Sequence, residues 1–367
     1  MPKKREVPWG IAPHTQAKHR IYEGYLRRWF PILLSKNPSV TYAEGFSGPG
    51  VYTGGEPGSP IIAVRALLDQ VPADKLTRKS VMFVFTDDDQ RCVDLLNRQF
   101  RANFPRRPLS EEQMPFIVRK GRCDEALGPA LKEVGAWGHP ILAVLDSWGN
   151  VPVGFDLIRR VANNRSSEVI VTFLPEHFLR FVTDMGPEID DVFGGDPSWR
   201  EVQTLTTPAQ KIRFVLTKYR EMLKRAGFRY ILDFEMVDTT GTVLYLVFGT
   251  TSELGLEKMK DTLWEVDPLS GMGFRDPRDV QAETLDLSLE SVSHLPLQRL
   301  LRAELERTGP QKAWDLAQFT LFETVYRPKV HALTALRAMR DKGWIVTNEN
   351  HLRYSTKVAL AQPQDNP

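Results

Sequence analysis

Apolar residues recur at helical spacing over residues 14–34, where Ile21, Tyr25, Leu26 and Trp29 are interleaved with Lys and Arg. The pattern predicts an amphipathic entry helix that packs on the segments after it. From Val40 the texture changes: short β-branched and aromatic runs at 40–44, 81–86, 115–118, 141–145 and 169–173 are separated by longer helical patterns. Such alternation predicts βαβ units and a parallel sheet. Two further runs, 229–237 and 243–249, are joined only by Asp238-Thr-Thr-Gly-Thr. That is too short for a crossover helix, so they pair as an antiparallel hairpin. Between the fifth strand and the hairpin lies an insert, 174–228. Its second half is helical (Lys211, Phe214, Val215, Lys218, Met222), and its first half reads as irregular, rich in Gly and Asp, where a substrate lid would sit.

About seven strands, crossovers first and a hairpin last, make an α/β Rossmann sheet of the class I methyltransferase kind. Residues 265–290 carry Pro, Gly and Asp without periodicity and read as a linker. The expected division is therefore a Rossmann domain over 1–264, a linker over 265–290 and a small domain over 291–367. Within the last, 293–355 reads as three helices and a hairpin. The third helix starts after Arg327 with Pro328 in its first turn, runs through Leu333, Leu336 and Met339, and stops at Gly343; strands follow at 344–347 and 352–354. This is a winged-helix plan. Its recognition helix offers Arg327, Lys329, His331, Arg337 and Arg340, and its wing Arg353, as phosphate grips for a nucleic acid. Glu304, Glu306, Glu323, Asp341 and Glu349 dilute that charge, leaving protein docking as the other use.

Composition narrows the picture only a little. With 48 Lys+Arg against 46 Asp+Glu the net charge is +2, so nucleic-acid affinity must come from a local patch. Cys92 and Cys123 are too few for a disulfide scaffold or a four-thiolate metal site and read as reduced core thiols. No metal is expected. The basic Met1-Pro-Lys-Lys-Arg stretch is not followed by an apolar core, and no apolar run nears the ~18 residues of a membrane span, which predicts a cytoplasmic protein with no membrane partner.

The sharpest chemical feature is Glu44-x-Phe46-x-Gly48-x-Gly50, a strand ending in a carboxylate before a glycine-rich turn. Glycines let backbone approach a cofactor closely, and Glu44 is placed to hold its cationic or hydrogen-bonding end, the amino-acid end in S-adenosylmethionine. The second strand ends in Asp87, Asp88 and Asp89, where a ribose diol is gripped; Asp87 is the chosen residue, although such a cluster also caps a following helix. Asp124 stands where it can accept from an adenine amino group or cap a helix. The fourth strand ends in Asp146-Ser-Trp148, with Asp146 and Trp148 placed to address a substrate base. His14 and Lys18 lie one helical turn apart and can point together at a phosphate, a carboxylate or the glycine loop.

Several stretches together resemble the three-Cys-motif partner (TcmP) family. They are Trp9 with His14-Thr15-x-x-Lys18-His19 and Tyr25-Leu26; Glu44-Gly-Phe-Ser-Gly-Pro-Gly50 running on to Gly54-Gly55-Glu-Pro-Gly-Ser-Pro60; Asp146-Ser-Trp-Gly149; Leu244-Tyr-Leu-Val-Phe-Gly-Thr250; and Gly255-Leu-Glu-Lys-Met-Lys260. The resemblance covers nearly the whole chain and implies a methyltransferase-like Rossmann fold, S-adenosylmethionine as cofactor, and work with a radical S-adenosylmethionine protein that carries the three cysteines. It departs from the family in Glu44, where Asp is usual, and in Ser147, where Pro is expected. Val51–Gly58 also lengthens the loop before Ser59 and Pro60 supply an N-cap and a first-turn proline. The expected function is thus a methyltransferase-like protein acting on, or recruited to, nucleic acid. The alternatives are a nuclease or base-processing enzyme on the same scaffold and a non-catalytic partner that presents substrate.

Overall fold

The computed structural model describes residues 6–105, 110–147, 153–181, 187–275 and 294–361. These divide into two compact units, one reaching to Gly255 with a short return at 274–275, the other formed by 256–273 and the residues beyond 293.

The first unit is built on an eight-stranded sheet. Its strands are β1 (Ser39–Glu44), β2 (Ser80–Asp87), β3 (Phe116–Lys120), β4 (Ile141–Leu145), β5 (Glu168–Phe173), β6 (Tyr230–Val237), β7 (Val243–Thr250) and β8 (Gly273–Arg275), in the order β3-β2-β1-β4-β5-β7-β6-β8. The first five run parallel, and β7 pairs antiparallel with both β5 and β6. β1, β4 and β5 are buried along their whole length, as strands covered on both faces by helices must be. β8 falls where the sequence reads as linker; at three residues it is too short to show an alternation.

The entry helix α1 (Pro13–Lys36) turns Ile21, Tyr22, Tyr25, Leu26, Trp29 and Phe30 inward. α2 (Ser59–Gln70) comes after the glycine loop, with Gly58 rather than Ser59 as its N-cap. The first half of the insert is not irregular. Short turns at Pro175–Phe181, Pro187–Val192 and Pro197–Thr204 precede the long helix Pro208–Ala226. They wrap an aromatic cluster in which Phe178, Phe193 and Trp199 meet Phe173 and Tyr219, all at most 4% exposed. Helical turns this short show no period in sequence, so the Gly and Asp residues between them dominate the pattern.

In the second unit the order is helix Leu295–Thr308, β9 (Gln311–Lys312), helix Ala313–Glu323, a π-turn Pro328–Ala332 continuing into helix Leu333–Asp341, then β10 (Ile345–Thr347) and β11 (Lys357–Leu360). The three strands form an antiparallel sheet in the order β10-β11-β9. Leu297, Leu301, Leu316, Leu336, Met339 and Val358 fill its core. The last strand lies at 357–360 and not at 352–354. Leu352 is buried as a lone anchor, and Thr356 closes a turn by accepting the Arg353 backbone N–H on its hydroxyl at 2.8 Å. Asn348 then accepts the N–H of Lys357 at 2.8 Å and starts the strand. No described helix is long and apolar enough to cross a membrane.

Candidate functional site

β1 has β2 on one side and β4 on the other, so the strand order reverses at the β1/β4 seam, where open α/β sheets place their ligands beyond the carboxyl ends. A cleft of about 450 Å³, counting space open to solvent, lies there. It is lined by Glu44, Phe46, Gly48, Gly50, Val144 and Asp146 from the strand ends and the loop, and by Trp9, Thr15, His19, Tyr22, Tyr52 and Ser59 around them.

Glu44 is 2% exposed. The Tyr42 hydroxyl donates to its Oε1 and the Ser59 hydroxyl to its Oε2, both at 2.7 Å. Burial pushes its pKa up to about 8 against the pull of these two bonds, and the charge of Asp146 adds to the rise. Burial thus favours the neutral acid near pH 7, against the two hydroxyl donors that favour the carboxylate. Ser59, expected as a helix cap, is thus spent on the site, and the cap falls to Gly58.

Asp146 takes the Lys18 ammonium on Oδ2 in an ion pair whose side chains are 17% and 4% exposed. Burial would lift the Asp146 pKa; the Lys18 charge and hydrogen bond outweigh it and hold the carboxyl below its ordinary value. Its Oδ1 is buried without a hydrogen bond of ordinary geometry, as are the hydroxyls of Tyr22 and Thr172, and both Asp146 and Tyr22 have Thr172 as neighbour. Next to Lys18 on α1, His19 is lowered to about 4 by burial first and by the Lys18 charge second, so its ring is neutral. It faces Tyr52 at 5.6 Å and Tyr22 at 6.3 Å.

The long loop folds back on itself. The N–H of Gly58 donates to the carbonyl of Gly50 at 2.8 Å, and Tyr52 donates to Glu56 at 2.9 Å. Trp9 lies over it, held by the Thr53 N–H on its carbonyl at 3.0 Å. Gly48 and Gly50 have φ of +62° and +74°, and a Cβ at Gly48 would stand 3.7 Å from the Trp9 ring. A Cβ on Gly58 would lie 2.8 Å from the Gly50 backbone. Gly58→Ala is therefore expected to push the loop off α2 and cost about 1–3 kcal/mol in thermal or urea unfolding. Gly10→Ala, where nothing lies within 4 Å, is the matched control and should stay within about 0.5 kcal/mol.

Of the residues singled out in sequence, Glu44, Phe46, Gly48, Gly50 and Asp146 share the cleft, and Lys18 reaches it through Asp146. Asp87 does not line it: Oδ2 accepts the Gly48 N–H at 2.8 Å and Oδ1 the Asp89 N–H at 3.0 Å, which ties the glycine loop to β2. Asp89 caps the next helix through the Arg91 N–H. Asp124 is not among the residues that line the cleft; it sits in the first turn of helix Cys123–Glu133, paired with Arg122 at 3.2 Å. His14 is on the first turn of α1, outside the lining. Trp148 lies outside the described residues. Trp9, His19, Tyr22, Tyr52 and Ser59 line the cleft without a site role in the sequence reading; the signal for two of them is their place near Lys18, His19 beside it and Tyr22 one turn on. Among the described residues no three His, Cys, Asp or Glu side chains are grouped as a metal would need.

In the second unit, His331 is 2% exposed, accepts the Arg327 N–H at 3.1 Å on Nδ1 and packs on Trp264 at 4.2 Å. It is a core residue and not a phosphate grip. Lys329 pairs with Glu257 at 2.8 Å, Arg327 covers Trp264 at 5.7 Å, and Arg340 donates to the Asn350 carbonyl at 2.9 Å. Arg337 and Arg353 are exposed.

No family model matches the chain, and no curated protein does. Solved structures similar to it include EvdMO1 (10% identity, 64% of this chain and 42% of that one, TM-score 0.34), the METTL16 MTase domain (12%, 62% and 66%, TM-score 0.31) and the plantazolicin methyltransferase BpumL in complex with SAH (9%, 65% and 86%, TM-score 0.32). The chain spans less than two thirds of the length of the first two. At these scores the fold stands on its own strand order, and that order, β3-β2-β1-β4-β5-β7-β6 with β7 antiparallel, defines a class I methyltransferase-like Rossmann unit.

Proposed function

We propose that the chain is a methyltransferase-like protein that binds S-adenosylmethionine in the β1/β4 cleft and acts on, or is recruited to, nucleic acid. The observation that carries the reading is the meeting of Glu44, the Gly48–Gly50 turn and Asp146 in one cleft at the switch point of the sheet. Its fit to an adenosyl compound rests on the bare backbone of Gly48 and Gly50 in the lining, which no side chain screens from the cleft; at Gly48 even a Cβ would already touch the Trp9 ring at 3.7 Å. Bound there, the cofactor supplies an electrophilic methyl group. Gly48 and Gly50 let the backbone approach it, Glu44 meets its amino-acid end, and the buried oxygens of Asp146, Tyr22 and Thr172 orient the group that receives the methyl. The TcmP resemblance adds a radical S-adenosylmethionine protein as partner.

Glu44 gives the reading a distinctive test. An ammonium arriving beside it is held far better by a carboxylate than by the acid, so binding releases a proton wherever free Glu44 is protonated. With a pKa of about 8, affinity is expected to rise by up to about tenfold per pH unit below that value and to level above it. Isothermal titration with S-adenosylmethionine between pH 6 and pH 9, in two buffers of different ionisation enthalpy, measures both slope and proton count. Glu44→Gln should flatten the slope. Absence of heat at every pH overturns the proposal.

A further inference from the structure

Residues 311–314 and 354–358 of the second unit run side by side. Lys312 and Lys357 are Cα partners in the β9–β11 pair, and the N–H groups of Ala313 and Trp314 donate to the carbonyls of Thr356 at 2.8 Å and Tyr354 at 2.9 Å. Two lysines opposite one another in an antiparallel pair repel. Both are exposed, as is Arg353 on the adjoining turn, and among the described residues none of the three enters an ion pair. Asp315 accepts the backbone N–H of Lys312 at 3.1 Å. Beside these cations Trp314 is 50% exposed and meets Tyr354 edge-on at 5.6 Å. The core of the unit does not include this indole, so burial of apolar surface explains neither it nor the unpaired lysines.

We propose that the Trp314–Tyr354 pair, framed by Lys312, Lys357 and Arg353, is a binding surface for single-stranded nucleic acid. Bases stack on an open indole whatever their identity, and flanking cations follow the phosphates. A duplex read by the helix Leu333–Asp341 fits less well. His331 is in the core, and Lys329, Arg327 and Arg340 are engaged within the unit. The proposal gives a surface to the nucleic-acid part of the proposed function and does not depend on the cofactor cleft.

The test is fluorescence anisotropy of the full chain with a labelled single strand of about 20 nucleotides, as RNA and as DNA, and with the matching duplex, at about 50 and 200 mM KCl. The single strand is expected to bind more tightly than the duplex. Trp314→Ala should weaken it by about 5- to 100-fold, and Trp314→Phe by no more than about threefold. Lys312→Ala and Lys357→Ala should each reduce the salt slope by about one, and Arg337→Ala should change nothing. Tighter duplex binding, absence of binding to any strand, or an unchanged Trp314→Ala overturns the proposal. Titration of Trp314→Ala with S-adenosylmethionine separates the two readings: intact cofactor heat with lost strand binding supports this surface, and lost heat in the native chain sinks only the cleft.

Discussion

Lys18→Met is expected to lower the stability of the first unit by about 3–5 kcal/mol at pH 7, the cost of leaving a buried carboxylate without its counter-charge. Lys18 is 3% exposed, and its ammonium sits on Asp146, 128 residues away in the chain, so the pair pins the first helix to the end of β4. The loss depends on pH in a defined direction. In the native protein the Asp146 pKa is depressed, so its stabilisation is complete above the unfolded value near 4 and fades as pH falls below it. In the variant, burial acts unopposed and raises the folded pKa, so the penalty grows as pH rises through the same value. The difference between the two proteins should therefore be small only well below pH 4, where the native Asp146 is itself protonated, already substantial at pH 4 and full by pH 7. Urea unfolding across that range measures it, and an equal deficit at both ends would rule out the pair as its cause. Lys18→Met combined with Asp146→Leu should recover much of the loss, because an apolar pair of similar volume carries no desolvation cost.

This pair also shows what the sequence could and could not display. β2, β4 and β5 are legible because strands buried on both faces read as near-continuous apolar runs, β1 by its place before the glycine turn, and the β6–β7 hairpin because its link is too short for anything else. Asp89 and Asp87 stand two residues apart and look interchangeable. Which of them caps a helix and which ties down Gly48 is decided by the path of a loop 39 residues earlier. His331 shows the same limit in the second unit. On a helical wheel it is one more basic residue between Lys329 and Arg337, but the π-turn at Pro328–Ala332 rotates it under Trp264. Ser59 carries both signals at once: Ser before Pro is the mark of a helix start, and only the approach of Glu44 draws its hydroxyl away. Elements follow from local periodicity. Site roles here depend on partners dozens of residues distant, and no local pattern encodes those.

Lys260→Met is expected to destabilise the second unit by about 3 kcal/mol or more, although it touches neither the cleft nor an exposed face. The residue belongs to the Gly255–Lys260 stretch that carries part of the family resemblance, and it is 1% exposed. Its ammonium donates to the carbonyls of Thr320 at 3.1 Å, Leu321 at 2.6 Å and Tyr326 at 3.4 Å, and to that of Thr324. Those carbonyls end the helix Ala313–Glu323 and begin the turn after it. A helix terminus leaves its last carbonyls without partners, so a single amine there does the work of a cap through its hydrogen bonds, although burial pulls the Lys260 pKa down to about 7. One turn on, Trp264 donates its indole N–H to the Val325 carbonyl at 2.9 Å, finishing the same turn. Methionine fills the space of the lysine stem but offers no donor; the Thr320 carbonyl keeps the Thr324 hydroxyl at 2.7 Å, and each other buried carbonyl left unpaired costs about 1–3 kcal/mol. Lys258→Met removes a partly exposed ammonium that faces Glu257 and Asp261 and should change stability by about 0.5 kcal/mol or less. Hydrogen exchange of the 320–326 amides separates the two: the Lys260 variant should lose protection there first, ahead of global unfolding. A Lys260→Met protein with native protection in that turn would show that the helix end is held by something other than this ammonium.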